Sequence, residues 1–223
     1  MSSKSTHPPH FAIAIDGPAA SGKSTLAREI AKRLGLVMVN SGAMYRAITW
    51  KVLCEKIDPS DEEAVISLLD RIDIHCGEIG RRSTCTIDGV DPGDALRSEA
   101  VNANVSAIAA IPEVRDRLIA HQRNYLDHTS IIMEGRDIGS VVFPDTPFKI
   151  YIDADEAVRA ARRTGDGEVD SVAQRDAADS ARTTAPLIVA EGAVVLDTSH
   201  HSIESGVDAA IEILKQQGLP VSA

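Results

Sequence analysis

Residues 17–25 read GPAASGKST. They fit G-x-x-x-x-G-K-[ST], with Gly17, Gly22, Lys23 and Ser24 in the fixed places. The flanks match as well. Residues 11–16 (FAIAID) form a short apolar run ending at Gly17-Pro18, which predicts a buried strand. Over residues 23–34, Leu26, Ile30 and Leu34 recur at helical spacing, and Gly35 stands where a helix stops. A strand that runs through such a loop into a helix curls its backbone so that consecutive N–H groups converge on a phosphate. The helix N-terminus adds partial positive charge. The loop Gly17, Pro18, Ala19, Ala20, Ser21, Gly22, Lys23, Ser24 and Thr25 is therefore the candidate ATP site. Lys23 is placed to reach the β- and γ-phosphates and to act in catalysis, and the Ser24 hydroxyl to hold Mg²⁺.

Working outward, the pattern predicts strands at 36–39, 131–133, 148–153 and 193–196. Helices are predicted at 43–56, 98–109, 113–127, 156–163, 171–183 and 203–217, with a shorter one from Ser60 to Arg71 opened by a Ser60/Glu63 capping box. Between them, residues 72–76 and 84–87 are short β-branched runs, and Asp88-Gly89 is a turn signal. The stretch 164–170 (TGDGEVD) has two Gly and three acids and reads as a loop. Alternating strands and helices imply an α/β fold with a mostly parallel five-stranded sheet covered on both faces. The expected organisation is a lead over 1–10, a core over 11–71 and 98–220, a small antiparallel β insert over 72–97 and a lid region over 156–183.

The composition narrows the class. At 223 residues, with 43% apolar and 25% charged, the chain suits one domain with an insertion. Its net charge of −10 argues against nucleic acid or an anionic membrane as partner. No apolar run approaches the roughly 18 residues of a membrane span, and no signal-like segment is read at the N-terminus, so a cytoplasmic location is expected. The three cysteines, Cys54, Cys76 and Cys85, contain no CxxC pair. Cys76 and Cys85 are able to face each other across a hairpin, but free thiols are the expectation.

A phosphate loop alone does not name a reaction. The guanine-reading N-K-x-D of GTPases is absent, and the length leaves no room for a motor with partner domains. A kinase acting on a second small molecule remains. An acceptor that carries its own phosphate needs cations from separate segments, and Arg46, Arg115, Arg136, Arg175 and Arg182 are the candidates. Arg175 and Arg182 are seven apart with Asp179 between them, so all three share one face of a helix.

Several further stretches carry a resemblance: SGAMYR (41–46), EGRDIG (134–139) followed by VVFPD (141–145), and RDAADSAR (175–182) followed by APL. With the phosphate loop and the β insert, they fall in the order of the bacterial cytidylate kinases, and the chain resembles that family over roughly residues 11–215. The resemblance implies a P-loop NTPase fold, ATP with Mg²⁺, and CMP or dCMP as acceptor. It implies that Ser41 and Arg46 contact the acceptor nucleotide, Arg46 at its phosphate, and that Arg136, beside Gly135, and Arg182 clamp that phosphate. Ser106 and Asp137 would bond the cytosine amine with Arg115 beside them, while Arg175 and Asp179 would hold the ribose. Arg159, Arg162 and Arg163 resemble the catalytic arginines of a lid that closes over ATP, and a monomer is implied. The residue chemistry agrees, since a cytosine amine is a donor and its reader must be an acceptor, as an ionised Asp is. The chain departs from the family at Asn40, where an acidic residue is common. Glu134 is read as standing in place of Asp, its longer arm still able to hold a magnesium-bound water. The loop 164–170 is short for a family lid. A UMP or AMP kinase, and a non-kinase ATP-gated binding module, remain the alternatives.

Overall fold

The computed structural model describes residues 10–165 and 186–219, apart from the Arg163 side chain. Arg175, Asp179 and Arg182, the expected helix 171–183, and residues 1–9 and 166–170 lie outside the described residues.

The chain begins with β1 (Ala12–Asp16), α1 (Lys23–Leu34), β2 (Val37–Asn40), α2 (Ser41–Cys54) and α3 (Glu62–Leu69). The hairpin β3 (Ile74–Ile79) and β4 (Arg82–Ile87) follows, then α4 (Glu99–Ile108), α5 (Pro112–Asn124) and β5 (Ile131–Gly135). Next come β6 (Lys149–Asp153), α6 (Glu156–Gly165), β7 (Val194–Asp197) and α7 (Ile203–Gln216). All seven strands make one sheet in the order β3-β4-β2-β5-β1-β6-β7. The five from β2 to β7 pair in parallel throughout.

β1 lies between β5 and β6 and is buried along its whole length. Because strand side chains alternate, its residues serve two cores. Ala12 and Ala14 pack with α2, α4 and α5 on one face, while Ile13 and Ile15 pack with α1 and α7 on the other. A strand covered on both faces reads as continuously apolar, which is why FAIAID carries no polar alternation.

The β insert is less separate than its sequence suggests. β3 and β4 pair in full register from Ile74↔Ile87 to Ile79↔Arg82, so the strands extend into residues expected to form the connection. The turn is only Gly80-Arg81, both with positive φ (58° and 62°), the backbone a two-residue hairpin requires. A parallel bridge, Met38↔Arg82, joins β4 to β2 and makes the hairpin the edge of the main sheet. Cys76 and Cys85 do face each other, with Sγ atoms 3.9 Å apart as free thiols.

Two local expectations are corrected. α3 is capped by Asp61, whose side chain accepts from the Ala64 N–H, and not by a Ser60/Glu63 box. Ser60 instead donates its hydroxyl to Asp58. α6 runs on to Gly165, so Thr164 and Gly165 are helical and not part of a loop.

Candidate active site

The strand ends define the site. In a parallel sheet, ligands collect at the carboxyl ends of the strands. β1 ends in the phosphate loop, β2 at Asn40-Ser41, β5 at Glu134-Gly135 and β7 before Thr198. Residues from all four ends line one cleft of about 1040 Å³.

The phosphate loop is shaped by close approach. Gly17 has φ 153°, and a Cβ there would stand 2.1 Å from the Ile152 carbonyl oxygen, so no side chain fits. Gly22 opens α1 in the left-handed conformation. No side chain caps α1 among the described residues, and its first turn holds no acid. By contrast, Asn40, Asp61, Ser98 and Ser202 cap α2, α3, α4 and α7. A helix start lacking a side-chain cap offers its orphan N–H groups to an anion. Lys23 is buried, and its Nζ donates to the Pro18 carbonyl at 3.0 Å.

The Ser24 hydroxyl donates to Glu134 Oε1 at 2.8 Å, and Glu134 is buried. A hydroxyl and a carboxylate in contact form a hard-oxygen donor set that suits Mg²⁺. Among the described residues no group of three or more His, Cys, Asp or Glu is placed to hold a metal ion, so those residues offer few ligands of their own. Magnesium commonly binds in this way, with phosphates and water completing its shell.

Two expected lid arginines reach the same loop. Arg159 donates to the Ala154 and Ala19 carbonyls, and Arg162 to the Ser21 carbonyl and to Thr198. Thr198 is buried, and its hydroxyl also donates to Ser21 O at 2.9 Å. The sequence marks neither Thr198 nor Asn102, although Asn102 Oδ1 accepts from Arg46. Both partners are distant along the chain and no motif spacing points to them.

The acceptor candidates line the same cleft. Ser41 is buried and donates to the Glu134 carbonyl at 2.8 Å. Gly135 must stay small, since a Cβ would lie 2.5 Å from Ser41 Oγ and 2.7 Å from Ile138 Cδ1. Arg46 also donates to the Leu96 carbonyl at 3.0 Å. Arg136 donates to the Gly17 carbonyl at 3.1 Å, joining the end of β5 to the phosphate loop. Ser106 lies on α4 at the cleft wall.

Arg115 and Asp137 are bonded to each other, Arg115 Nη2 to Asp137 Oδ2, with side chains 2% and 6% exposed. Arg115 also lies over the Tyr45 ring at 5.5 Å and donates to the Ala109 carbonyl. The pair is fixed by the protein itself. An ionised carboxylate carries about four acceptor sites on its two oxygens. Asn40 accepts from the Ala43 N–H at 2.9 Å, so it performs the capping that an acidic residue would perform there.

The family model described as cytidylate kinase matches residues 13–216. A cytidylate kinase from Streptomyces avermitilis is 38% identical over 218 residues, covering 94% of each chain. One from Caldanaerobacter subterraneus subsp. tengcongensis is 39% identical, covering 92% of this chain and 94% of that one. A bifunctional pantoate ligase/cytidylate kinase from Synechococcus elongatus is 40% identical over 93% of this chain and 42% of its own length. With a phosphate loop and a buried Arg–Asp pair lining one cleft, and with this likeness along nearly its whole length, the chain belongs to the cytidylate kinase family.

Proposed function

We propose that the chain transfers the γ-phosphoryl group of ATP to CMP, and to dCMP, giving ADP and the corresponding diphosphate. The observation that supports this most is one cleft lined by both the phosphate loop and the Arg115–Asp137 pair. The loop 17–25 holds the donor phosphates on backbone N–H groups, with Lys23 at the transferring end. Ser24 and Glu134 would hold Mg²⁺, which would supply positive charge to offset that of the donor phosphates.

CMP lies with its phosphate among Arg46, Arg136 and Arg182, and its ribose at Arg175 and Asp179. Its base meets Ser106, Arg115 and Asp137. Asp137 accepts from the exocyclic amine of cytosine. Uracil presents an acceptor at that place and is repelled, and a site built to bond one group rejects the analogue that lacks it. An acceptor phosphate oxygen, ionised near neutral pH, attacks the γ-phosphorus in line, so no general base is needed. Lys23, Arg159, Arg162 and Arg163 neutralise the charge spread over the transferring group. Closure of the lid region 156–183 over ATP excludes water.

We further propose that the chain acts as a monomer in the cytoplasm. No helix among the described residues is long and apolar enough to cross a membrane. Coupled ADP release with CMP, dCMP, UMP, AMP and no acceptor tests the reading. Fast release with CMP and dCMP alone supports it. Fast release with UMP or AMP instead, or the same slow release in every case, overturns it.

A further inference from the structure

Asp16 ends an otherwise apolar strand and is 3% exposed. The transfer described above does not use it. Its Oδ1 accepts from the Ile138 N–H and its Oδ2 from the Gly139 N–H, both at 2.7 Å. These are the first two amides of a short π-helical turn, Ile138–Val142. The far end of that turn is held by Arg123 of α5. Arg123 donates from Nε to the Val142 carbonyl at 2.9 Å and from Nη2 to the Val141 carbonyl at 3.0 Å. A carboxylate on the amides and a guanidinium on the carbonyls thus clamp the turn from two distant elements.

Arg136 and Asp137 stand immediately before this turn. Arg136 in turn donates to the carbonyl of Gly17, the residue after Asp16. Three hydrogen bonds therefore join residues 16–17 to residues 136–139. The approach is close, since a Cβ on Gly139 would stand 3.2 Å from Asp16 Oδ2 and 3.2 Å from the Lys149 side chain. An apolar residue at position 16 would leave two buried amides without acceptors.

We propose that Asp16 is a positioning residue that sets the 136–139 segment, and with it the Asp137 carboxylate and the Arg136 guanidinium, in fixed register with the phosphate loop. This deepens the reading of the acceptor site and rests on it. Asp16→Asn supplies one acceptor and one amide donor, so it cannot serve both N–H groups. The expected result is a tenfold or greater rise in KM for CMP and at least a fivefold loss of the CMP-over-UMP affinity ratio in calorimetry. The Kd of a fluorescent ATP analogue measured without CMP stays within twofold. Arg123→Ala, an exposed position at the other end of the turn, should move the CMP parameters in the same direction and serves if Asp16→Asn does not fold. Unchanged CMP affinity and base preference in these variants overturn the proposal. So does an equal loss of ATP and CMP affinity, the mark of a general structural role. Absence of CMP turnover in the unmodified protein would instead overturn the proposed function, whatever the calorimetry of the variants shows.

Discussion

The Arg115–Asp137 pair is a buried ion pair to which the proposed function gives a recognition role as well as a structural one. Removing one partner of a buried pair leaves an uncompensated charge and costs about 3–5 kcal/mol. Asp137→Ala will therefore lower stability. The informative measurement is a ratio within the variant, which cancels that general loss. KM for CMP should rise at least tenfold more than KM for UMP in steady-state assays, and equal rises would remove Asp137 from base reading. Asp16 makes a separate prediction. Burial raises its pKa from 3.8 to about 6, partly offset by the Gly139 and Ile138 amides, with Asp137 raising it further and Lys23 lowering it. The folded state then binds more protons than the unfolded chain between those values, so stability falls as pH rises through that window. Urea titrations should show the stability difference between wild type and Asp16→Asn falling by about 2 kcal/mol from pH 4 to pH 7. A difference that stays constant would contradict the assignment. The sequence showed Asp137 as a candidate but not its bond to Arg115, and it showed Asp16 only as the end of an apolar run. Both bonds join residues remote along the chain, 22 and more than 100 positions apart, where periodicity carries no information.

At the scale of elements, glycine positions separate backbone strain from steric exclusion. Gly80 has φ 58°, and a Cβ there would have no atom within 4 Å, so its turn demands only the left-handed conformation. Gly17 meets a carbonyl oxygen at 2.1 Å. Gly80→Ala should cost about 1–2 kcal/mol in urea unfolding, the left-handed penalty of an L-residue, with turnover unchanged. Gly17→Ala should weaken ATP binding by at least tenfold in calorimetry, because the loop must move off Ile152. Equal effects on ATP affinity would contradict the account of the loop. The strand, loop and helix around residues 17–25 were legible because the signals are local and agree with one another. The cap of α3 was misread because Ser60 and Asp61 are adjacent candidates, and only the fold shows which side chain faces the Ala64 N–H. The hairpin strands run beyond their β-branched residues because β3 continues through Gly77, whose carbonyl accepts from the Tyr125 hydroxyl at 2.7 Å.

For the whole molecule, the parallel order β2-β5-β1-β6-β7 decides where chemistry is possible. It brings four strand ends to one cleft, with α1 presenting its N-terminus and α6 lending arginines from outside the sheet. The central claim is that two phosphorylated ligands meet in that cleft and exchange a phosphoryl group. Incubation of the protein with Mg²⁺, CMP and ATP labelled at the γ-phosphorus, followed by chromatography, tests it most directly. The account predicts label in the β-phosphate of CDP, little in inorganic phosphate, and a loss of at least a thousandfold in Lys23→Ala. Label that appears only as inorganic phosphate, at a rate indifferent to CMP, would contradict it.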